Sequence, residues 1–156
     1  MIVDILFILI LAAIAVVDYM TKSIYDMMLI VGALICYPLL YFFRGVGMTA
    51  ILYGAIWGFG SYLCIYLVAK WIYKDEVFGQ GDVLLNAFIC GYLGLIPGII
   101  ASFLTFFVAL VLVLFQWLKS GKWQSDLEIP LAPAMAISAV ISMLFYQNIV
   151  DFILYI

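Results

Sequence analysis

The chain contains no histidine and only six lysines and arginines in 156 residues. Without histidine, the commonest metal ligand and neutral-pH proton shuttle is missing. The three cysteines, Cys36, Cys64 and Cys90, stand singly in apolar runs and make no CxxC pair. A zinc or haem centre and a secreted disulfide framework are therefore not expected, and no metal or cofactor is assigned. The net charge of −3 gives nucleic acid no electrostatic footprint. No glycine-rich loop runs into Lys-Ser or Lys-Thr, which excludes the usual phosphate cradle of nucleotide hydrolysis.

What the chain has is apolar surface. Hydrophobic residues make up 70% of it and charged residues 10%, with a mean hydropathy of +1.33. Soluble domains are about 45–50% apolar and about 25% charged. A body this small has too little interior to hide the excess, so the expected solvent is the lipid bilayer. The apolar run at residues 5–17 has no Lys or Arg before it, the first being Lys22. A signal peptide needs a positive start, so this run reads as a retained membrane helix.

A spanning helix takes about 20 mostly apolar residues. Six segments qualify, at roughly 2–19, 24–43, 48–69, 82–97, 98–118 and 130–150, separated by charge, glycine or proline. The expected fold class is all-α, a polytopic membrane protein of six transmembrane helices forming one domain over residues 1–156. The fourth segment is short and contains Asn86, but the positive charges support it. With six spans and both termini outside, Lys22, Lys70, Lys74, Lys119 and Lys122 face the cytoplasm and only Arg44 faces out, as the positive-inside rule favours. The same topology puts Asp18, Asp26, Asp75, Glu76, Asp82, Asp126 and Glu128 on the cytoplasmic side and Asp4 and Asp151 outside. The cytoplasmic mouth is then mildly negative and suits a cationic partner.

Two acids lie where apolar helices run directly into them. Asp18 closes the first segment after Ala15-Val16-Val17, and Asp82 opens the fourth after Phe78-Gly79-Gln80-Gly81. Ionisable groups at membrane depth are costly and mark functional sites. Two carboxyls sharing one proton form the aspartic-protease device, in which one takes a proton from water while the other polarises the scissile carbonyl. Gly79 and Gly81 would let a substrate backbone come close to Asp82.

Gly79-Gln80-Gly81-Asp82 followed by Val83-Leu84-Leu85 resembles the GxGD signature of the type IV prepilin peptidase family, aspartyl peptidases of the membrane. The segment from Asp18 to Asp26 resembles the end of that family's first helix, where its first aspartate stands. Gly91-Tyr92-Leu93-Gly94 is similar to its small-residue step, and Ile129-Pro130-Leu131-Ala132-Pro133 to its Pro-x-x-Pro entry to the last helix. Tyr25 and Asp26 stand where Pro and Asn are usual, and Leu84 where a Lys is common.

The resemblance implies a membrane endopeptidase with Asp18 and Asp82 as the catalytic pair. It also implies that Gly79, Gln80, Gly81, Pro130 and Pro133 belong to the substrate-binding or supporting loops. It further implies a prepilin-like substrate with a short basic leader, cut after a glycine at the cytoplasmic face of the cell membrane. The family's CxxC-bearing methylating segment has no counterpart here, so the chain is similar to the short, peptidase-only form found with Flp/Tad-like pili.

Plainer readings exist for each residue. Asp is a favoured N-cap, and Asp82 sits directly before an apolar helix. Asp18 could be an interfacial helix end. Asp26 is a rival first aspartate, since Tyr25-Asp26 is similar to the Tyr-Asp of presenilin-like proteases, although Lys22 and Asp26 at i,i+4 also suit a surface ion pair. Pro130 and Pro133 suit a first helical turn, and Gly91 and Gly94 suit close helix packing. Beside the peptidase stand a small proton- or cation-coupled transporter using the same acids and a structural subunit of a larger membrane assembly.

Overall fold

The computed structural model describes residues 2–74, 78–120 and 130–154, with side chains to residue 118 in the second stretch and to 146 in the third. The charges of Asp75, Glu76, Lys119, Lys122, Asp126, Glu128 and Asp151 lie outside the described residues. Among those described there are six helices and no strand: α1 (Ile2–Thr21), α2 (Asp26–Arg44), α3 (Met48–Tyr73), α4 (Gln80–Leu93), α5 (Leu95–Ser120) and α6 (Ala132–Leu154). Four helices, α1, α2, α3 and α5, are long and apolar enough to cross a membrane. At 14 residues, α4 rises only about 21 Å, short of the roughly 30 Å hydrocarbon core.

The break between α4 and α5 falls at Gly94, not at Pro97-Gly98 as the sequence suggests. Gly94 takes φ +86°, a conformation that side chains disfavour, while its N–H caps Cys90 O at 2.9 Å. Pro97 falls in the first turn of α5, where its missing N–H would have had no helical partner. Gly94 therefore makes the turn, and packing falls to Gly91, whose Cβ position is already filled by Tyr37 and Ala55.

The short helix α4 is the centre of the bundle. It lies along α3 and also touches α2, α5 and α6, which explains why it is buried on most of its faces. The α3–α4 approach depends on missing side chains. A Cβ on Gly58 would stand 2.6 Å from Asn86 O, and one on Gly54 would run into the Cys90 backbone. Small residues serve this purpose in lipid, where dispersion and hydrogen bonds replace the hydrophobic drive between helices.

The buried face of α1 is Val3, Asp4, Phe7, Leu11, Ile14 and Asp18, a stripe at three- and four-residue steps. An acid therefore stands at each end of one apolar seam, about 21 Å apart along the helix. At one end Asp4 Oδ2 takes Arg44 Nη2 at 2.9 Å, and Asp4 Oδ1 accepts the Tyr92 hydroxyl at 3.0 Å. That cluster joins the start of α1 to the ends of α2 and α4. Phe7 stacks on Tyr92 with centroids 3.7 Å apart, carrying the seam inward. At the other end lies Asp18.

Candidate active site

Asp18 ends the buried stripe of α1 at 5% exposure. The chain then leaves the helix through Lys22, at φ +52°, and Thr21 Oγ1 donates to Val17 O at 2.8 Å and to Ser23 O at 3.1 Å. The Asp18 carboxylate is held from across the bundle. Ala132, the first residue of α6, donates its N–H to Asp18 Oδ2 at 3.0 Å. The N-terminal end of a helix has unpaired N–H groups and a partial positive charge, both of which favour a carboxylate there. Pro130 and Pro133 bracket this contact, one just before α6 and one in its first turn.

Asp82 is not the N-cap that the sequence suggests. Gly79 occupies that position, extended at φ −71° and ψ 136°, because Gln80 and Gly81 have already turned into the helix. Asp82 is the third helical residue. Its carboxylate reaches back to accept the Gly79 N–H, and its own N–H bonds Gly79 O at 3.2 Å. This is the acidic half of a capping box, with glycine in place of the usual Ser or Thr. A Cβ on Gly79 would stand 2.8 Å from Asp82 Oδ2. Gly81 is equally confined: its Cβ would meet Ile24 Cβ at 2.8 Å. The start of α4 is thus seated on the α1–α2 connection, a few residues beyond Asp18.

These placements bring the two carboxylates to one end of the bundle. At that end Asp18 is buried and Asp82 half-buried. Two helix starts, those of α4 and α6, supply N–H donors to the pair. Asp26 is exposed as the first residue of α2. It also shares no helix with Lys22, because the chain between them is broken, so the i,i+4 argument for that pair does not apply. Leu84 is 37% exposed and points away from the buried face of α4.

Two further features of the site carry little signal in the sequence. One turn below Asp82, buried Asn86 donates to Gly58 O at 2.9 Å and Ser61 Oγ at 3.4 Å, and accepts from Ser102 Oγ at 2.9 Å. It thereby clasps α3, α4 and α5. Its spacing of four from Asp82 was the available signal. The second feature is Tyr62 and Tyr66 on α3. Tyr62 donates to Ser102 O at 3.2 Å and meets the Phe78 ring just before the Gly79 turn. The Tyr66 hydroxyl accepts the Gln80 side chain at 3.0 Å.

Among the described residues no group of three or more His, Cys, Asp or Glu side chains is placed to hold a metal. The arrangement offers two carboxylates at one end of the bundle, backbone donors and an exposed glycine, Gly79, beside Asp82, a set suited to acid–base attack by water on a carbonyl.

No curated protein and no solved structure matches the chain. A family model, the type IV leader peptidase family, matches residues 5–114, a stretch that includes Asp18, the Gly79–Asp82 turn and Asn86. With that match over more than half its length, this multi-pass helical membrane protein belongs to the type IV leader peptidase family.

Proposed function

We propose that the protein is a membrane aspartyl endopeptidase that removes a short basic leader from prepilin-like proteins at the cytoplasmic boundary of the cell membrane, with six spanning helices and both termini outside. The observation that carries this reading is the seating of the Gly79–Asp82 turn on Ile24, in the connection just past Asp18, which brings the two acids to one end of the bundle. The ionised member of the pair takes a proton from water. The resulting hydroxide adds to the scissile carbonyl carbon while the protonated partner gives its proton to the carbonyl oxygen. Collapse of this tetrahedral species breaks the C–N bond as one of its hydroxyls returns a proton to the pair, and the leaving amine takes up a proton from the pair, which ends with the single proton it began with. Exposed Gly79 leaves the approach to Asp82 open to an extended backbone, while Gly81 seats the turn on Ile24.

Depth supports the substrate class. Asp18 belongs to a buried helical stripe and not to a loop, so the scissile bond must reach the edge of the hydrocarbon layer. A segment where a charged leader meets an apolar helix is naturally held there. The experiment is to reconstitute the full chain in vesicles with a prepilin-like substrate and read the new N-terminus by mass spectrometry. A single cut after the glycine between leader and apolar helix is expected. An intact substrate across several leader sequences, together with proton or cation flux through the same vesicles, would overturn the reading.

A further inference from the structure

The turn that presents Asp82 contains two glycines, which permit close approach but supply no stiffness. A reacting carboxylate has to be held within about 0.5 Å, so the restraint must come from the neighbours of that turn. Three are visible. Phe78 meets the Tyr62 ring edge-on, with centroids 5.6 Å apart. Gly81 is seated on Ile24. Gln80, the one residue of the turn between the glycines, extends its amide to α3, where Nε2 donates to the Tyr66 hydroxyl oxygen at 3.0 Å.

Tyr66 is built for this role. Its ring is 8% exposed, the last residue of the buried α3 stripe Ile51, Gly54, Gly58, Tyr62 and Tyr66. Lys70, one turn further on, donates from Nζ to the same phenol oxygen at 3.2 Å, with the ammonium 5.5 Å from the ring centroid. Two donors on one oxygen occupy both of its acceptor directions. The Gln80 side chain is thereby tied to the α3 helix through the same oxygen that holds Lys70.

We propose that Tyr66 is a positioning residue for Asp82: its phenol oxygen anchors Gln80, which holds the Gly79–Gly81 backbone that in turn holds the Asp82 carboxylate. The inference rests on the peptidase reading above for its catalytic consequence, though its structural half does not. Tyr66 touches neither reacting carboxylate. It acts through the turn, and the cost of losing it falls on the geometry of the reaction more than on substrate affinity.

Tyr66→Phe is the suitable variant, since it keeps the ring and the Lys70 ammonium over it and removes the oxygen that Gln80 and Lys70 bond. Loss of one such hydrogen bond corresponds to about tenfold in an equilibrium. Hydrogen exchange of the full chain in vesicles should quicken about tenfold across Gly79–Asp82, with the thermal midpoint close to wild type. Unchanged exchange there would overturn the proposal whether or not the protein cleaves anything.

With the prepilin-like substrate, kcat should fall about tenfold with KM within about twofold. Gln80→Leu should reproduce that fall, and the double variant should be no worse than either single, because both remove the same contact. Multiplying losses, a wild-type kcat, or a large drop in thermal midpoint would each overturn it. A wild-type protein that leaves the substrate whole would instead count against the peptidase reading, with the exchange result standing separately.

Discussion

Asp18 and Ala132 lie 114 residues apart in the chain and are joined by one hydrogen bond of 3.0 Å, from the first N–H of α6 to the carboxylate at the end of α1. The contact gives Asp18 two separable duties: closing the α1–α6 seam and keeping its carboxylate aimed at the interior. Asparagine can accept the same bond and cannot ionise, whereas alanine can do neither. Asp18→Asn should therefore keep most of the stability and lose cleavage. Asp18→Ala should lose cleavage and also about 1–3 kcal/mol, through the unpaired N–H and the lost charge-assisted bond. Unfolding in mild detergent checks the difference, and equal destabilisation by both substitutions would show that the bond to Ala132 contributes little.

Gly81 gives a steric prediction. An added methyl would lie 2.8 Å from Ile24 Cβ, a branched atom near the backbone that cannot swing aside. Gly81→Ala should cost about 1–3 kcal/mol as an overpacked contact and should push the start of α4 off the α1–α2 connection. Pairing it with Ile24→Gly removes the Cβ in the way and should restore activity and most of the lost stability together. Failure of the second substitution to rescue the first, measured by thermal midpoint and by cleavage, would mean that the strain lies elsewhere.

Asn86 should behave as a structural clasp. Its amide meets Gly58 O, Ser61 and Ser102 on two other helices, so Asn86→Leu fills similar volume but strands those partners. A loss of about 1–3 kcal/mol is expected, the usual cost of leaving buried polar groups unsatisfied. The additional loss from Ser102→Ala should be much smaller in the Asn86→Leu background than in wild type, because the pair shares one bond. Equal losses in both backgrounds would show that the two residues act independently.

Helices were the legible part of this chain. Long apolar stretches punctuated by charge and glycine locate α1, α2, α3 and α5 closely, because in lipid the backbone must bond to itself. Helix ends were harder to read, since Gly94 and Pro97-Gly98 carry similar local signals and only the φ of Gly94 decides between them. The position of Asp82 in its first turn was hidden for a related reason: Gly-Gln-Gly has poor helix propensity, and tertiary seating on Ile24 and Tyr66 overrides it. The hold of Ala132 on Asp18 and of Tyr66 on Gln80 were not legible at all, since both depend on which helices become neighbours.

The central claim is that Asp18 and Asp82 act as a pair, and the most direct measurement is cleavage of a co-expressed prepilin-like substrate by Asp18→Asn, Asp82→Asn and Asp26→Asn, each inserted at the wild-type level. Asparagine keeps size and removes the ionisable proton, so Asp18→Asn and Asp82→Asn should each abolish cleavage. Asp26→Asn, at an exposed helix start, should cut at close to the wild-type rate. Continued cleavage by Asp18→Asn, with loss in Asp26→Asn, would contradict the account and make Asp26 the partner of Asp82.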